Sequence, residues 1–547
     1  MPTAAVPLLL VLPVAVPLAV AACHAAGLLL RRSPGDWAGL VSPVVTLACA
    51  ALLAGRVTDR GPQHALGHLL RADALTVWLL LAVGAVSLLA LAASPSYLAG
   101  ERAAGRATPR TTGRYHLLVQ AFLAAMALGV LAENLGVLWV AIEATTLVTA
   151  FLVGHRRTRA SVEAAWKYVV ICSVGIALAF LGTVLIYYAA RQAGLSEAAA
   201  LDWPRLAAHA DRLDPDVTRL GTGLIVLGFG TKAGLVPLHA WLPDAHSQAP
   251  APVSALMSGV LLSVGFSGVL RYKTVADAAL GPGYLRLLLT VAALLTLALA
   301  AAVLLGQRDY KRMLAYSSME HMSLIALGTA IGSPLAIAAV LLHMTGHGLA
   351  KSVAFCSAGQ ILQWQGSSRI AGVQGLATRA PALAAGFGLA VVALLGLPPF
   401  SLFASEVGIA RAGFGARLGW PVTVALLLVL VSFAALAARG ARMLLGPPSG
   451  PHGGDVPAVG GVPAQAEPAD DAGRTAAAGA PAAATAVAGR DVGGDGDVPA
   501  AVGLPHRIGA AAGLPLLAGL VACAVLGTTT GPLTRLLDAA AAVIGGH

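Results

Sequence analysis

The sequence predicts an all-α, polytopic membrane protein, and three observations carry that reading. Of its 547 residues, 57% are hydrophobic and only 11% are charged, and mean hydropathy is +0.80. A soluble globular chain of this length does not have that composition. Apolar runs long enough to cross ~30 Å of hydrocarbon, about 20 residues each, recur from one end to the other. Abundant alanine and 63 glycines suit close helix–helix contact, which lipid does not drive by hydrophobicity. The net charge of +10 comes largely from arginines in short loops, which set topology and do not form a nucleic-acid patch.

The apolar runs give about fourteen helices, near 5–30, 38–55, 74–93, 116–132, 134–154, 161–190, 218–240, 251–272, 285–306, 313–331, 333–361, 383–412, 419–443 and 507–528. The first run could be a lipoprotein signal ending at Cys23. No basic residue precedes it, however, and it continues to Leu30 before Arg31 and Arg32, so it reads as a span. RRSPGD, ERAAGRATPRTTGR, HRRTR and QRDYKR fall in odd-numbered loops, and the acidic stretch 191–217 falls in an even one. Positive charge inside then places the N-terminus outside the cytoplasm, in the cell inner (plasma) membrane. Basic residues around Arg56–Arg71 and Arg271–Arg286 dilute that bias. Residues 446–503, rich in Ala, Gly, Pro and Asp, cannot bury a core and are expected to be a disordered insertion between the last two spans. The five cysteines (Cys23, Cys49, Cys172, Cys356, Cys523) are scattered singly without CxxC. They read as small buried thiols, not as iron–sulfur or zinc ligands.

Charges inside the spans are few. Lys232 stands inside the seventh run, where an ammonium costs ~2.5–3.5 kcal/mol on insertion scales. Gly234 and Pro237 follow it, and the proline is expected to interrupt the helix and free the carbonyl of Ala233. Leu397-Pro398-Pro399-Phe400 breaks the twelfth run in the same way, with Glu406 after the break. Paired interruptions of this kind point to an inverted repeat with its site at the breaks. Glu143 is a lone carboxylate in an apolar run: a proton carrier or counter-charge of Lys232, or an acid kept neutral by hydrogen bonding. Glu133, at a helix junction, reads as a proton-path residue or an interfacial acid. Lys167 reads as functional or as snorkelling to the surface.

His343, His347 and Lys351 recur every four residues and share one helix face. An HxxxH pair can bind zinc, but Met344 stands where a zincin carries glutamate and no third ligand is evident in the sequence. A proton wire is the preferred reading, because imidazole both accepts and donates near neutral pH. His239, Asp244 and His246 flank the seventh helix. Asp244 is expected to cap a turn, with the histidines bonding backbone freed at Pro237 and Pro243, or the three serve proton uptake. Glu320 and His321 carry the same two readings. GFGTKAG lacks the GK[ST] order and a preceding strand, so it is not a phosphate loop.

At these residues the chain resembles the antiporter-like, proton-conducting membrane subunits of respiratory complex I, Mrp-type sodium/proton antiporters and membrane-bound hydrogenases. GTKAGLVPLHAWLPDAHSQAPAPVSALMSG, RDYKRMLAYSSMEHMS, HMTGHGLAKSVAFCSAG and LPPFSLFASE carry the likeness, over roughly 116–445. The resemblance implies about fourteen helices with two inverted five-helix repeats and broken helices 7 and 12. It divides the chain into 1–115, repeats at 116–275 and 276–445, the loop 446–503 and a last helix in 504–547. It implies proton translocation through Glu143, Lys232, His343, His347, Lys351 and Glu406; Glu133, Lys167, His239, Asp244, His246, Ser263, Glu320 and His321 are the candidates for proton entry or support. Ser263 stands where many pumping members carry a lysine or histidine. The PPFSLFASE and YSSMEHMS stretches look most like hydrogenase-4 component F. No cofactor is expected in this chain. Iron–sulfur, nickel–iron or flavin centres would belong to partners: a peripheral redox arm joined by other antiporter-like subunits in the bilayer. The alternatives are an Mrp-type sodium/proton antiporter subunit and a proton-inactive structural anchor.

Overall fold

The computed structural model describes residues 5–32, 34–447 and 509–545. Helices α1 (Ala5–Leu29) and α2 (Val41–Arg60) lead into an antiparallel hairpin, β1 (Gln63–Ala65) and β2 (Leu70–Ala72). Then come α3 (Ala74–Ala103), α4 (Pro109–Leu131), α5 (Leu135–Val153), α6 (Arg159–Gln192) and two short helices, α7 (Glu197–Ala200) and α8 (Trp203–Ala208). The middle of the chain holds α9 (Pro215–Lys232), α10 (Trp241–Gln248), α11 (Ala251–Leu256) and α12 (Leu262–Leu280), the last two joined by a π-turn at Met257–Leu261. α13 (Pro282–Gly306), α14 (Tyr310–Ile331) and α15 (Pro334–Gln365) follow. The last elements are α16 (Leu376–Arg379), α17 (Pro381–Leu394), α18 (Ser401–Gly415), α19 (Gly419–Leu445), α20 (Ala510–Thr528) and α21 (Thr534–Ile544).

Ten helical segments among the described residues are long and apolar enough to cross a membrane. The other four expected spans coincide with α9 and the turn after it, α14, α15 and α17–α18. These four hold Lys232, Glu320, His321, His343, His347, Lys351 and Glu406, and α14 and α15 are buried along most of their length. A helix walled by protein is released from the demand for apolar side chains that lipid imposes, so hydropathy fades where the polar residues gather.

Helix ends follow caps more closely than hydropathy. The fourth span, expected from 116, begins at Pro109, because Thr108 and Thr111 form a capping box with proline at the first helical position. The third runs on to Ala103, ten residues beyond the expected 93. The hairpin and α7, α8 and α21 are too short for a hydropathy window and were not anticipated.

Small residues set the closest packing. A Cβ at Gly228 of α9 would lie 2.5 Å from the Gly175 carbonyl of α6, so glycine alone permits that approach. The arginine-rich loops meet one another on one face: Arg102 pairs with Asp36 (2.7 Å) and Arg156 with Glu101 (3.5 Å). Burial acts upward on the Asp36 carboxyl, but hydrogen bonds from Arg102 and His116 outweigh it and hold it below the usual carboxylate range.

Three expectations need correction. Cys23 is exposed, while the other four cysteines are buried and free. Arg271 is not a loop charge; it is buried in α12, against Asp73 (3.4 Å) and Thr76 (2.8 Å). Lys311, in the stretch QRDYKR, is likewise buried in the first turn of α14. The expected disordered insertion lies, from residue 448 onward, outside the described residues.

Candidate functional site

The seventh span ends in a Schellman turn. Leu235 N bonds Gly230 O (2.8 Å), Gly234 N bonds Thr231 O (3.1 Å), and Gly234 takes φ +78°. Glycine therefore stops the helix, and Pro237 follows a helix already finished instead of breaking one as expected. The indole of Trp241 donates to the same Thr231 carbonyl (2.9 Å), adding a second bond to the turn. The twelfth span ends in the same construction: Gly396 has φ +63°, with Gly396 N to Ala393 O (3.1 Å) and Leu397 N to Val392 O (3.4 Å). Val236–Pro237 and Pro398–Pro399 are both cis.

Lys232 is the last residue of α9, where the helix's carbonyl end favours a cation, and it is fully buried. Its Nζ donates to Tyr168 OH (2.6 Å) and Thr146 Oγ1 (2.8 Å), and Tyr168 OH lies 2.6 Å from Thr149 Oγ1. A Cβ on Gly265 of α12 would lie 2.9 Å from Lys232 Cγ, so that glycine makes room for the lysine stem. Glu143 does not pair with Lys232. It is half-buried, accepts from Ser173 Oγ (3.2 Å), and leaves Oε2 buried without a partner. Thr146, one turn further along α5, and Tyr168 of α6 take the place at Nζ that a carboxylate was expected to fill.

A second cluster joins α14, α15 and α18. Lys351 Nζ donates to the Leu314 carbonyl (2.7 Å) and to Ser317 Oγ. His321 Nδ1 faces His343 Nε2 at 3.2 Å, and the other nitrogen of His343 meets Ser405 Oγ at 2.9 Å. The His321 and His347 rings are 5.1 Å apart, and both nitrogens of His347 are buried without partners. Ligand atoms of His321, His343 and Glu406 lie within 4.8 Å of one another. His347 is not part of that group, so the HxxxH pair gains no third ligand; His343 instead meets residues from two other helices that spacing along α15 could not reveal. Glu320 is buried beside His321 in α14.

Between the two clusters stands α10. Its His246 is buried with neither nitrogen partnered, and it stacks on Phe355 (5.4 Å) with Trp241 6.3 Å away. Trp241 in turn packs edge-on to Tyr168 (4.9 Å). Ser263 is buried on α12 with its hydroxyl unpartnered. Asp244 caps no turn; it pairs with Lys167 (3.2 Å) and Arg312 at a polar cleft of about 460 Å³. Lys167 also pairs with Glu163 (2.7 Å). His239 bonds the Pro237 carbonyl (3.1 Å), whereas His246 does not bond backbone as expected. Glu133 stands apart, buried under the hairpin against His64.

The sequence reading missed Thr146, Thr149, Tyr168, Lys311, Ser317 and Ser405. Hydroxyls in apolar runs carry no signal of their own. Lys311 did leave one: Asp309 caps α14, so a lysine two residues on sits at the end where the helix dipole opposes it. Its Nζ is held by the carbonyls of Ser247 (2.6 Å) and Ala249 (3.1 Å).

The fold and the site define a polytopic membrane protein with two interrupted helices and buried titratable side chains strung between them. The chain belongs to the family described as NADH:quinone oxidoreductase/Mrp antiporter, TM, which matches residues 132–432, more than half its length. It is 39% identical over 389 residues to a hydrogenase-4 component F homolog of Methylacidiphilum infernorum, covering 70% of this chain and 80% of that one. It is 32% identical over 435 residues to NADH-quinone oxidoreductase subunit N of Desulforudis audaxviator, covering 75% and 81%. In fold it is similar to a chain of the Mrp complex from Dietzia sp. DQ12-45-1b, with TM-score 0.75 and 22% identity over 98% of this chain and 97% of that one.

Proposed function

We propose that the chain is a proton-translocating membrane subunit of a redox-driven complex of the hydrogenase-4 or NADH:quinone oxidoreductase type. The observation that carries this is the setting of Lys232: fully buried, in no ion pair among the described residues, and held by two hydroxyls. A hydroxyl accepts from an ammonium and donates to an amine, so both protonation states of the lysine find partners at the same site. The two carbonyls that hold Lys311 only accept, so they offer no donor for the lone pair of a neutral amine. Glu143, one turn from Thr146, then acts as a counter-charge whose approach favours the ammonium and whose retreat favours release. From Lys232 the path passes His246 to Lys351 and on through His347, His321 and His343 to Glu406. The cleft at Lys167 and Asp244 is its mouth.

Moving one proton against 100 mV takes ~2.3 kcal/mol, which must come from partners: other antiporter-like subunits and a peripheral redox arm. The higher identity to the hydrogenase-4 component F homolog supports that branch. The matching turns at both breaks support two inverted repeats. The meeting of the arginine-rich loops on one face supports a plasma-membrane topology with that face cytoplasmic and the N-terminus outside. The test is proton uptake by inverted vesicles carrying the whole complex. Lys232→Ala abolishes uptake while partner electron transfer persists; undiminished uptake refutes the proposal. Sodium-dependent pH changes without an electron donor would favour the antiporter reading.

A further inference from the structure

We propose that His64, His68 and Glu133 form a binding site for a divalent transition metal of the zinc class. The site lies at the far end of α2 from the arginine-rich loops, about 30 Å along that 20-residue helix. Each residue offers one ligand atom, and the three atoms lie within 4.8 Å of one another. His64 Nδ1 is 2.9 Å and His68 Nδ1 3.5 Å from the same oxygen, Glu133 Oε2. Ligands ~2.0–2.2 Å from a tetrahedral zinc stand roughly 3.3 Å from one another. The two nitrogen–oxygen spacings bracket that figure, so a metal replaces the protons shared with the carboxylate with little movement there. Two imidazoles and a carboxylate, leaving a fourth position to water, are a recognised zinc ligand set.

The hairpin builds this convergence. Leu66, Gly67 and His68 all have positive φ (53°, 62° and 70°), a region in which non-glycine residues are uncommon. That turn folds the His68 ring back to within 4.8 Å of the His64 ring. Glu133 is fixed from both sides: its N–H donates to Leu69 O (3.1 Å) and its carbonyl accepts from Trp203 N (3.2 Å). Its carboxylate is buried, while His64 and His68 stay 33% and 53% exposed, which leaves an access path. Arg71 lies on the other oxygen, 3.8 Å from Oε1, and is partly neutralised by Asp73 (3.3 Å), so Oε2 is left to the metal. A bound ion would staple the hairpin to the α4–α5 junction, and so fix the start of the helix that carries Glu143 and Thr146.

The test is a Co²⁺ titration of the chelator-stripped full-length chain in detergent. One Co²⁺ per chain should bind with the visible absorption of a tetrahedral site and be displaced by Zn²⁺. Affinity should fall by more than the ~10–100-fold that loss of a supporting hydrogen bond costs in His68→Ala, an exposed position, and in Glu133→Gln, which keeps a hydrogen-bonding side chain. Zn²⁺ should raise the melting temperature of the parent chain and not that of either variant. Unchanged Co²⁺ affinity in a His64→Ala/His68→Ala variant, or an equal loss in His209→Ala in the neighbouring loop, overturns the proposal.

Discussion

Lys232 shows how a single charge is made tolerable and still changeable. Its neighbours at 2.6 and 2.8 Å are hydroxyls, and a hydrogen bond to a charged group is worth ~1.5–3 kcal/mol. Tyr168→Phe and Thr146→Val each remove one such bond. Each is expected to slow proton uptake about tenfold or more, read as the initial rate in vesicles, with the double variant near the level of Lys232→Ala. Lys232→Arg should fail to restore uptake, because a guanidinium keeps its proton throughout the working range; parental rates in that variant would show that Lys232 need not deprotonate. The lysine was legible in the sequence as a costly charge beside a glycine. Its partners were not, because threonine and tyrosine in an apolar helix look the same whether they face a lysine or another helix.

At the scale of elements, the interruptions are glycine stops. An L-residue in the left-handed conformation costs roughly 1–2 kcal/mol, and a Cβ at Gly234 would also press on the side chain of Leu242. Gly234→Ala should therefore lower the melting temperature in detergent and displace Lys232, whereas Pro237→Ala should cost less, since the helix has already ended. A larger loss in Pro237→Ala would put the stop at the proline after all. Gly265→Leu tests the neighbouring contact: it should crowd the stem of Lys232 and reduce uptake while the chain still assembles. The existence and rough place of the helices were readable because hydropathy sums over ~20 residues and tolerates local exceptions. Their ends were less so, since a cap such as Thr108 outweighs the polarity of the first turn it starts.

At the scale of the whole molecule, a buried ion pair ties distant segments together. Arg271 of α12 reaches Asp73 ahead of α3 (3.4 Å), the Val130 carbonyl of α4 (3.3 Å) and the Trp203 ring of α8 (4.8 Å). Removing one partner of such a pair costs up to ~3–5 kcal/mol when the other charge is left buried alone; here Arg71 stays against Asp73 (3.3 Å) and softens that loss. Arg271→Ala should lower the melting temperature by more than Arg71→Ala, because Arg271 also bonds Thr76 (2.8 Å) and the Val130 carbonyl (3.3 Å); equal losses would mean that these cross-helix bonds add nothing to the ion pair.

The sequence by itself determined that this chain is a bundle of apolar helices, that two of them are interrupted, and that Lys232, Glu143, the His343–Lys351 stretch and Glu406 are among the polar groups that lipid would not tolerate. Those conclusions follow from local physics: the length of a hydrophobic run, the conformational freedom of glycine, the cost of a buried ion. Only the tertiary structure decided which of these charges meet. It set Tyr168 and Thr146, not Glu143, against Lys232, brought His321 to His343, and folded His68 back over Glu133. Each of those contacts depends on how one helix or hairpin lies against another. A hydrogen bond is made over less than 3.5 Å, and residues far apart in sequence come within that distance only through packing.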